Sequence, residues 1–258
     1  MFNFLKAKKD GVEVRLTNDR RLDQALKKAG IEDPTTVTKL SILGTMQKAD
    51  FKFIRKKMYK TLQELDISKA TFEEGKLKKG ALARCIALTS VSIPNWISEI
   101  TEGAFSNCSN LKTIDIPKSV IKIGELAFWG CTALTSVVIP NSVVELEFRA
   151  FNNCTGLTSV DIPNSVVKIG GSAFGKCSNL MSVTIPDSVT EIGNGAFAHC
   201  TSLTSIHIPK TTVNIGNWVF EGCEPFVTVH PDNPEYTSID GKLFTRFALT
   251  LKKEMNEG

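Results

Sequence analysis

The chain is poor in the residues that most often carry chemistry, with 3 His, 3 Trp and 2 Tyr among 258 residues. It has no C-x-x-C pair, no phosphate-cradling glycine loop and no nucleophile–base–orienter set at recognisable spacing. Those absences remove the usual zinc, nucleotide and hydrolase signatures, and neither an enzymatic activity nor a cofactor is expected. No apolar run approaches the roughly 18 residues that a membrane helix needs. Residues 1–10, MFNFLKAKKD, lack the apolar core of a secretory signal. On that reading either the chain stays inside the cell or a leader has been removed. Cysteine, too, is missing from most of the chain. None lies outside residues 85–223.

Inside that stretch the cysteines fall on one stride. Cys85, Cys108, Cys131, Cys154, Cys177, Cys200 and Cys223 are each 23 residues apart, and Pro94 to Pro209 and Phe105 to Phe220 keep the same step. The unit reads I-G-x-x-A-F-x-x-C-x-x-L-T-S-V-x-I-P-x-S-V-x-x. A fixed period of this length with an L-x-x-L-x-L core is the mark of a leucine-rich repeat solenoid, an α/β repeat architecture with mainly parallel β on its concave face. Strands are expected at Leu88-Val91-Ile93 and at each 23-residue step to Leu203-Ile206-Ile208, with Phe226 and Val229 forming a degenerate last turn. Gly124, Gly170, Gly193 and Gly216 follow the buried isoleucine, where the chain is expected to turn with a φ that favours glycine. Glu147 replaces that glycine in one coil, so a local distortion is expected there.

The flanks are irregular. Val12–Leu16 reads as a strand, and Thr17 or Asn18 as the cap of a helix that ends before Gly30. Residues 1–35 are taken as an N-terminal cap and 36–80 as two irregular repeats, with a helix over about 48–60. The regular array covers 81–223. Residues 224–258 form a degenerate repeat and a C-terminal cap, in which Asp240-Gly241 turns a hairpin over the open sheet edge. The formal charge of +4 hides an asymmetry: about +8 over residues 1–80 and about −4 beyond. The lysines are scattered over helices and loops, which points to a solvated surface rather than to nucleic acid.

The repeat unit resembles the BspA-like leucine-rich repeat family of bacterial and protist surface proteins. Residues 36–58 are similar to the segment that precedes the array in Bacteroides-type members, and N-P-E-Y-T-S-I-D-G-K-L-F (233–244) to their closing motif. The resemblance implies a right-handed solenoid used for adhesion, including binding of host matrix proteins. It implies a cell-surface or secreted location, against a cytoplasmic one if no leader precedes the chain. A monomer is expected.

Alternate side chains of the strands should face solvent on the concave side. One such column runs Ser41, Asp66, Ser92, Asp115, Val138, Asp161, Thr184, His207 and His230; the next includes Ser90, Thr113, Ser136 and Ser159. Solenoids bind along such faces, so Asp66, Ser92, Thr113, Asp115, Val138, Asp161, Thr184, His207 and His230 are the candidate contacts for a protein partner. Short hydroxyls are equally what a solvated parallel sheet displays. His207 and His230 are expected on adjacent strands, about 5 Å apart, too few ligands for a metal site. Asp115 and Asp161, about 10 Å apart, match an inverting glycosidase pair in spacing but lack a pocket. The cysteines read as buried free thiols, since parallel in-register side chains leave Cβ atoms too far apart for disulfides. Glu99, Lys122, Glu145, Lys168 and Glu191 should stack into a charge ladder on another face. Trp96, Trp129 and Trp218 suit either binding anchors or covers for a cap or loop, and covers are expected.

Overall fold

The structure is a computed structural model that describes residues 5–8, 11–72 and 76–249. Its unit is clearest in one coil. From Leu111 the chain runs along the concave side as Thr113–Ile114, turns after Pro117, and runs again as Lys122–Ile123. It then crosses the convex side through Ala127, Phe128 and Cys131 to Leu134. Strand alternation turns Leu111, Ile114 and Ile116 inward, and Val120, Ile123, Ala127, Phe128, Cys131 and Leu134 are fully buried with them. Successive coils repeat these positions, so the core is a bundle of columns rather than one ball. The result is a parallel-strand leucine-rich-repeat solenoid with few helices.

Three hydrogen-bond ladders join the coils. The concave one is parallel and in register from Gly11–Leu16 through Lys39–Thr45, Glu64–Asp66 and Ser90–Ser92 to Thr113–Ile114. Beyond that it is interrupted: a lone bridge links Asp115 to Val138, Ser159–Asp161 pairs with Ser182–Thr184, and Ser205–Ile208 pairs with Phe226–Val229. The second ladder is a lateral sheet of six two-residue strands, from Glu99–Ile100 to Asn214–Ile215, without a break. It carries the expected charge ladder, with Lys168 Nζ 2.9 Å from Glu191 and Lys76 Nζ 3.0 Å from Glu99. Lys122 instead reaches Glu147, at 2.6 Å.

The third ladder lies on the convex side, where alternate peptides have alternate duties. Gly103, Phe105 and Asn107 donate their N–H groups to Glu125, Ala127 and Trp129 of the next coil, whereas Ala104, Ser106 and Cys108 bond back three residues within their own coil. Two residues per coil take a left-handed conformation to allow this, for example Gly103 with Asn107 and Arg149 with Asn153. The inter-coil bonds all point the same way, from each N–H toward the C-terminal end of the array.

The glycines after the buried isoleucine have a different reason from the expected one. None of Gly124, Gly170, Gly193 and Gly216 has a positive φ. Each instead lies against the preceding coil, where a Cβ would meet its neighbours at 2.9, 2.6, 2.5 and 2.4 Å respectively. Glycine is required there by close approach of two backbones. Glu147 tolerates the position because its coil sits slightly further away: its N–H···O bond to Ile123 is 3.1 Å, against 2.7–2.8 Å for the four glycines.

Two side-chain columns run through the core. Phe105, Phe128, Phe151, Phe174, Phe197 and Phe220 stack nearly face to face, with centroids 5.0–6.2 Å apart. All seven cysteines are free, and six are buried. Each thiol from Cys108 onward donates to a backbone carbonyl of the coil before it, as Cys154 Sγ does to Phe128 O at 3.2 Å. A serine hydroxyl is shorter and costs more to bury; the thiol spans the gap and packs as a small hydrophobe. Burial pushes the thiols of Cys85, Cys131 and Cys177 up to about 12.

Particular residues close parts of both ends. The helix Leu22–Lys28 finishes in a left-handed Gly30, whose N–H bonds to Lys27 O while Ile31 N–H bonds to Leu26 O. It does not start at Thr17 or Asn18: its N-cap is Arg21, and buried Asp50 accepts the N–H of Leu22 at 2.9 Å and that of Gln47 at 2.7 Å. One carboxylate thus caps two helices, the second being Lys48–Phe53, which continues as a π-helix through Met58. At the other end, buried Asn233 binds the carbonyls of Pro209 and Thr212, and the hairpin of Tyr236–Ile239 and Lys242–Thr245 lies against Phe226–Val229.

Candidate binding surface on the concave face

Strand alternation turns one residue in two outward. Ser92, Thr113, Asp115, Val138, Asp161, Thr184 and His207 are exposed, and Asp66 and His230 are half-buried. The structure brings them together unevenly. Ser41, Asp66 and Ser92 lie in one register row, Thr113 stands beside Ser90, and Asp161 stands beside Thr184. Between these groups the ladder opens. The coil from Leu134 to Ile139 forms no paired strand; it keeps its bridge at Val138 and accepts the Thr158 N–H at Thr135 O, 3.3 Å away. That valine is 78% exposed in a column otherwise made of Ser, Thr, Asp and His.

The last two positions depart from the expected column. His207 lies opposite Thr228, not His230, because the final coil is two residues shorter. Phe226 therefore faces out and Val227 in, the reverse of the degenerate turn expected from the sequence. His230 lies just past the strand. Its Nδ1 accepts the N–H of Asp232, and His207 Nδ1 is 3.0 Å from Thr228 Oγ1. The two rings still meet edge to face with centroids 6.4 Å apart. Among the described residues no three His, Cys, Asp or Glu side chains converge as metal ligands would.

Asp66 is the most constrained of the candidates. Burial alone would raise its carboxyl, but Ser68 donates to it through both N–H and hydroxyl, with Ser41 and Lys69 adding to the effect, and the net shift is downward. It lines a polar hollow of about 400 Å³ with Glu13, Lys39, Glu64, Lys69 and Ser90. A larger groove, about 620 Å³, lies on the lateral sheet between Glu145, Glu147, Phe148, Lys168, Glu191 and Tyr236. Sequence reasoning passed over it. The signal was the Glu147-Phe148 pair, since Phe148 lies over the bare backbone of Gly171 and Arg149 covers its ring at 4.7 Å. Of the tryptophans, Trp96 packs on Phe72 at 5.4 Å, and Trp218 is 69% exposed.

The family model for the BspA type leucine rich repeat region matches residues 75–201 and 167–253, in six copies. Among solved structures, the chain is similar to the T. pallidum leucine rich repeat protein, with 24% identity over 85% of this chain and 84% of that one and a TM-score of 0.55. It is similar to a leucine rich cell surface protein from Faecalibacterium prausnitzii A2-165, with 26% identity and a TM-score of 0.58. That match covers 95% of this chain but 57% of the Faecalibacterium protein. A leucine-rich repeat protein from Bacteroides ovatus is 22% identical over 89% of this chain and 70% of that one, with a TM-score of 0.45. No curated protein matches the chain.

Proposed function

Because this chain belongs to the BspA type leucine rich repeat family, we propose that it is a non-enzymatic protein-binding solenoid that acts at a bacterial cell surface as an adhesin. It recognises a host or matrix protein through the concave face, with Asp66, Ser92, Thr113, Asp115, Val138, Asp161, Thr184, His207 and His230 as the contact positions. The observation that carries the reading is Val138. An exposed branched side chain between Asp115 and Asp161, where the ladder is interrupted, offers an apolar centre with a polar rim, the anatomy of a protein interface. Surface action is supported by the cell-surface relative.

A second reading is an intracellular interaction scaffold, favoured by a fold whose seven cysteines are all free. One experiment separates the two. The protein is tested for saturable binding to a panel of extracellular-matrix proteins and to lysate of its source cell, beside an Asp115→Lys, Asp161→Lys double variant. Matrix binding that the double variant loses supports the adhesin. Matrix silence with a specific lysate partner favours the scaffold. Equal binding by the double variant would remove the concave face from the proposal.

A further inference from the structure

The array stops on a coil whose outer side is built like the interfaces inside it. Six times along the convex side, three alternate N–H groups of one coil find three carbonyls of the next, ending with Gly195, Phe197 and His199 on Asn217, Val219 and Glu221. The next three donors are Trp218, Phe220 and Gly222. Among the described residues none of their N–H groups has an acceptor.

The neighbouring edges are closed. Val227 N–H donates to Gly241 O in the hairpin, and Ile215 N–H donates to the Tyr236 hydroxyl at 2.9 Å, so the concave and lateral sheets are both covered. At this end, among the described residues, the convex edge is the one that ends on bare donors. The side chains there are open too. Phe220 is half-buried and stacks on Phe197 at 6.2 Å, and among the described residues no further ring stacks on its other side. Trp218 occupies a position held by Gly80, Gly103, Leu126, Arg149, Ser172 and Gly195 in earlier coils. It takes the left-handed conformation at φ 56, unfavourable for so large a residue, and remains 69% exposed. The left-handed turn is common to this position in every coil; what sets Trp218 apart is a large indole that core packing leaves exposed, of the type enriched at binding surfaces.

We propose that this end of the array docks an extended segment of a partner polypeptide. The segment offers backbone carbonyls at alternate residues to Trp218, Phe220 and Gly222 and lays an aromatic side chain on the open side of Phe220. The shape of the complement is set by the six internal interfaces, each of which presents carbonyls around an A-F or V-F pair or its equivalent to the coil before it. The mode is strand addition to an open edge, made here on a convex turn. A second copy of the chain does not fit. Two such ends would meet donor to donor, and the corresponding carbonyl side of the first convex turn lies toward the helical segment Lys48–Met58, from which Arg55 donates to Gly80 O. A free anion does not fit either, because Glu221 and Glu224 stand exposed beside the edge.

The test is residue-resolved amide exchange by NMR on the full chain, with a synthetic peptide of the sequence of residues 193–201 carrying Cys200→Ala as probe. Saturating peptide should slow exchange at Trp218, Phe220 and Gly222 by about tenfold or more, and a peptide that also carries Phe197→Ala should protect none of them. In the protein, Trp218→Ala should leave the thermal midpoint unchanged and weaken peptide binding about fivefold or more. Unchanged exchange at the three amides would overturn the proposal. So would equal protection by the ring-less peptide, or shifts confined to the concave strands around Asp161 and Thr184.

Discussion

The concave face and the rest of the coil surface follow different rules. The lateral sheet runs unbroken through six coils and the convex ladder repeats its three bonds at every step, whereas the concave ladder is interrupted twice. The buried columns hold Phe, Cys, Ala and Gly at fixed steps; on the concave face one column keeps Ser or Thr from Ser90 to Ser205, and the column from Ser92 to His207 mixes Ser, Asp, Val, Thr and His. Cohesion between coils thus comes mainly from the core, the lateral sheet and the convex turns. The concave face carries less of that duty, and its outermost column is freer to vary.

This division can be broken most completely from the buried side by alkali. The thiols of Cys85, Cys131 and Cys177 are raised from an ordinary value of 9.0 to about 12 by burial, and those of Cys108, Cys154 and Cys200 are raised as well. On raising pH the unfolded chain releases these protons first, so stability is whole below about pH 9 and drains away as pH climbs toward 12. Circular dichroism against pH should show cooperative loss of the whole array in that window. A flat signal to pH 12 would contradict the coupling.

Next comes Phe151→Ala, which removes a fully buried ring from the middle of the stack and should cost about 3–5 kcal/mol in denaturant unfolding. Hydrogen exchange should quicken most in the flanking coils; uniform exchange along the array would argue against column-by-column cohesion. Gly193→Ala, whose Cβ would lie 2.5 Å from Gly171 N, should cost about 1–3 kcal/mol despite adding a single methyl. Smallest of all, Asp161→Ala on the concave face should change stability by no more than about 0.5 kcal/mol. A loss as large as that of Gly193→Ala would mean that the concave columns do carry cohesion, and the contrast would fail.

The columns were legible in the sequence because a 23-residue stride repeats both the residue type and its burial; Phe128 and Cys131 could be placed in the core from spacing alone. The lateral sheet was legible only as a charge ladder, since strands of two residues such as Glu145–Leu146 show no alternation to read. Gly193 was recognised as necessary but for the wrong reason, because a composition pattern does not distinguish a positive φ from a close approach between coils. The concave candidates up to Thr184 are where strand alternation puts them. His230 is not, because the last coil drops two residues and a fixed stride cannot show that. The cap that Asp50 supplies to Leu22 joins positions 28 residues apart, beyond any local signal.

The columns also limit how such a protein can change over generations. The phenylalanine stack, the thiol-to-carbonyl bonds and the glycine contacts all depend on the same 23-residue step. Inserting or deleting one residue inside a coil would throw all of them out of alignment together, as a single slipped tooth stops a gear train. Gain or loss of a whole coil leaves each in place. The length of the array is therefore inherited in whole steps, each adding about 4.8 Å to the concave face and one new residue to each exposed column.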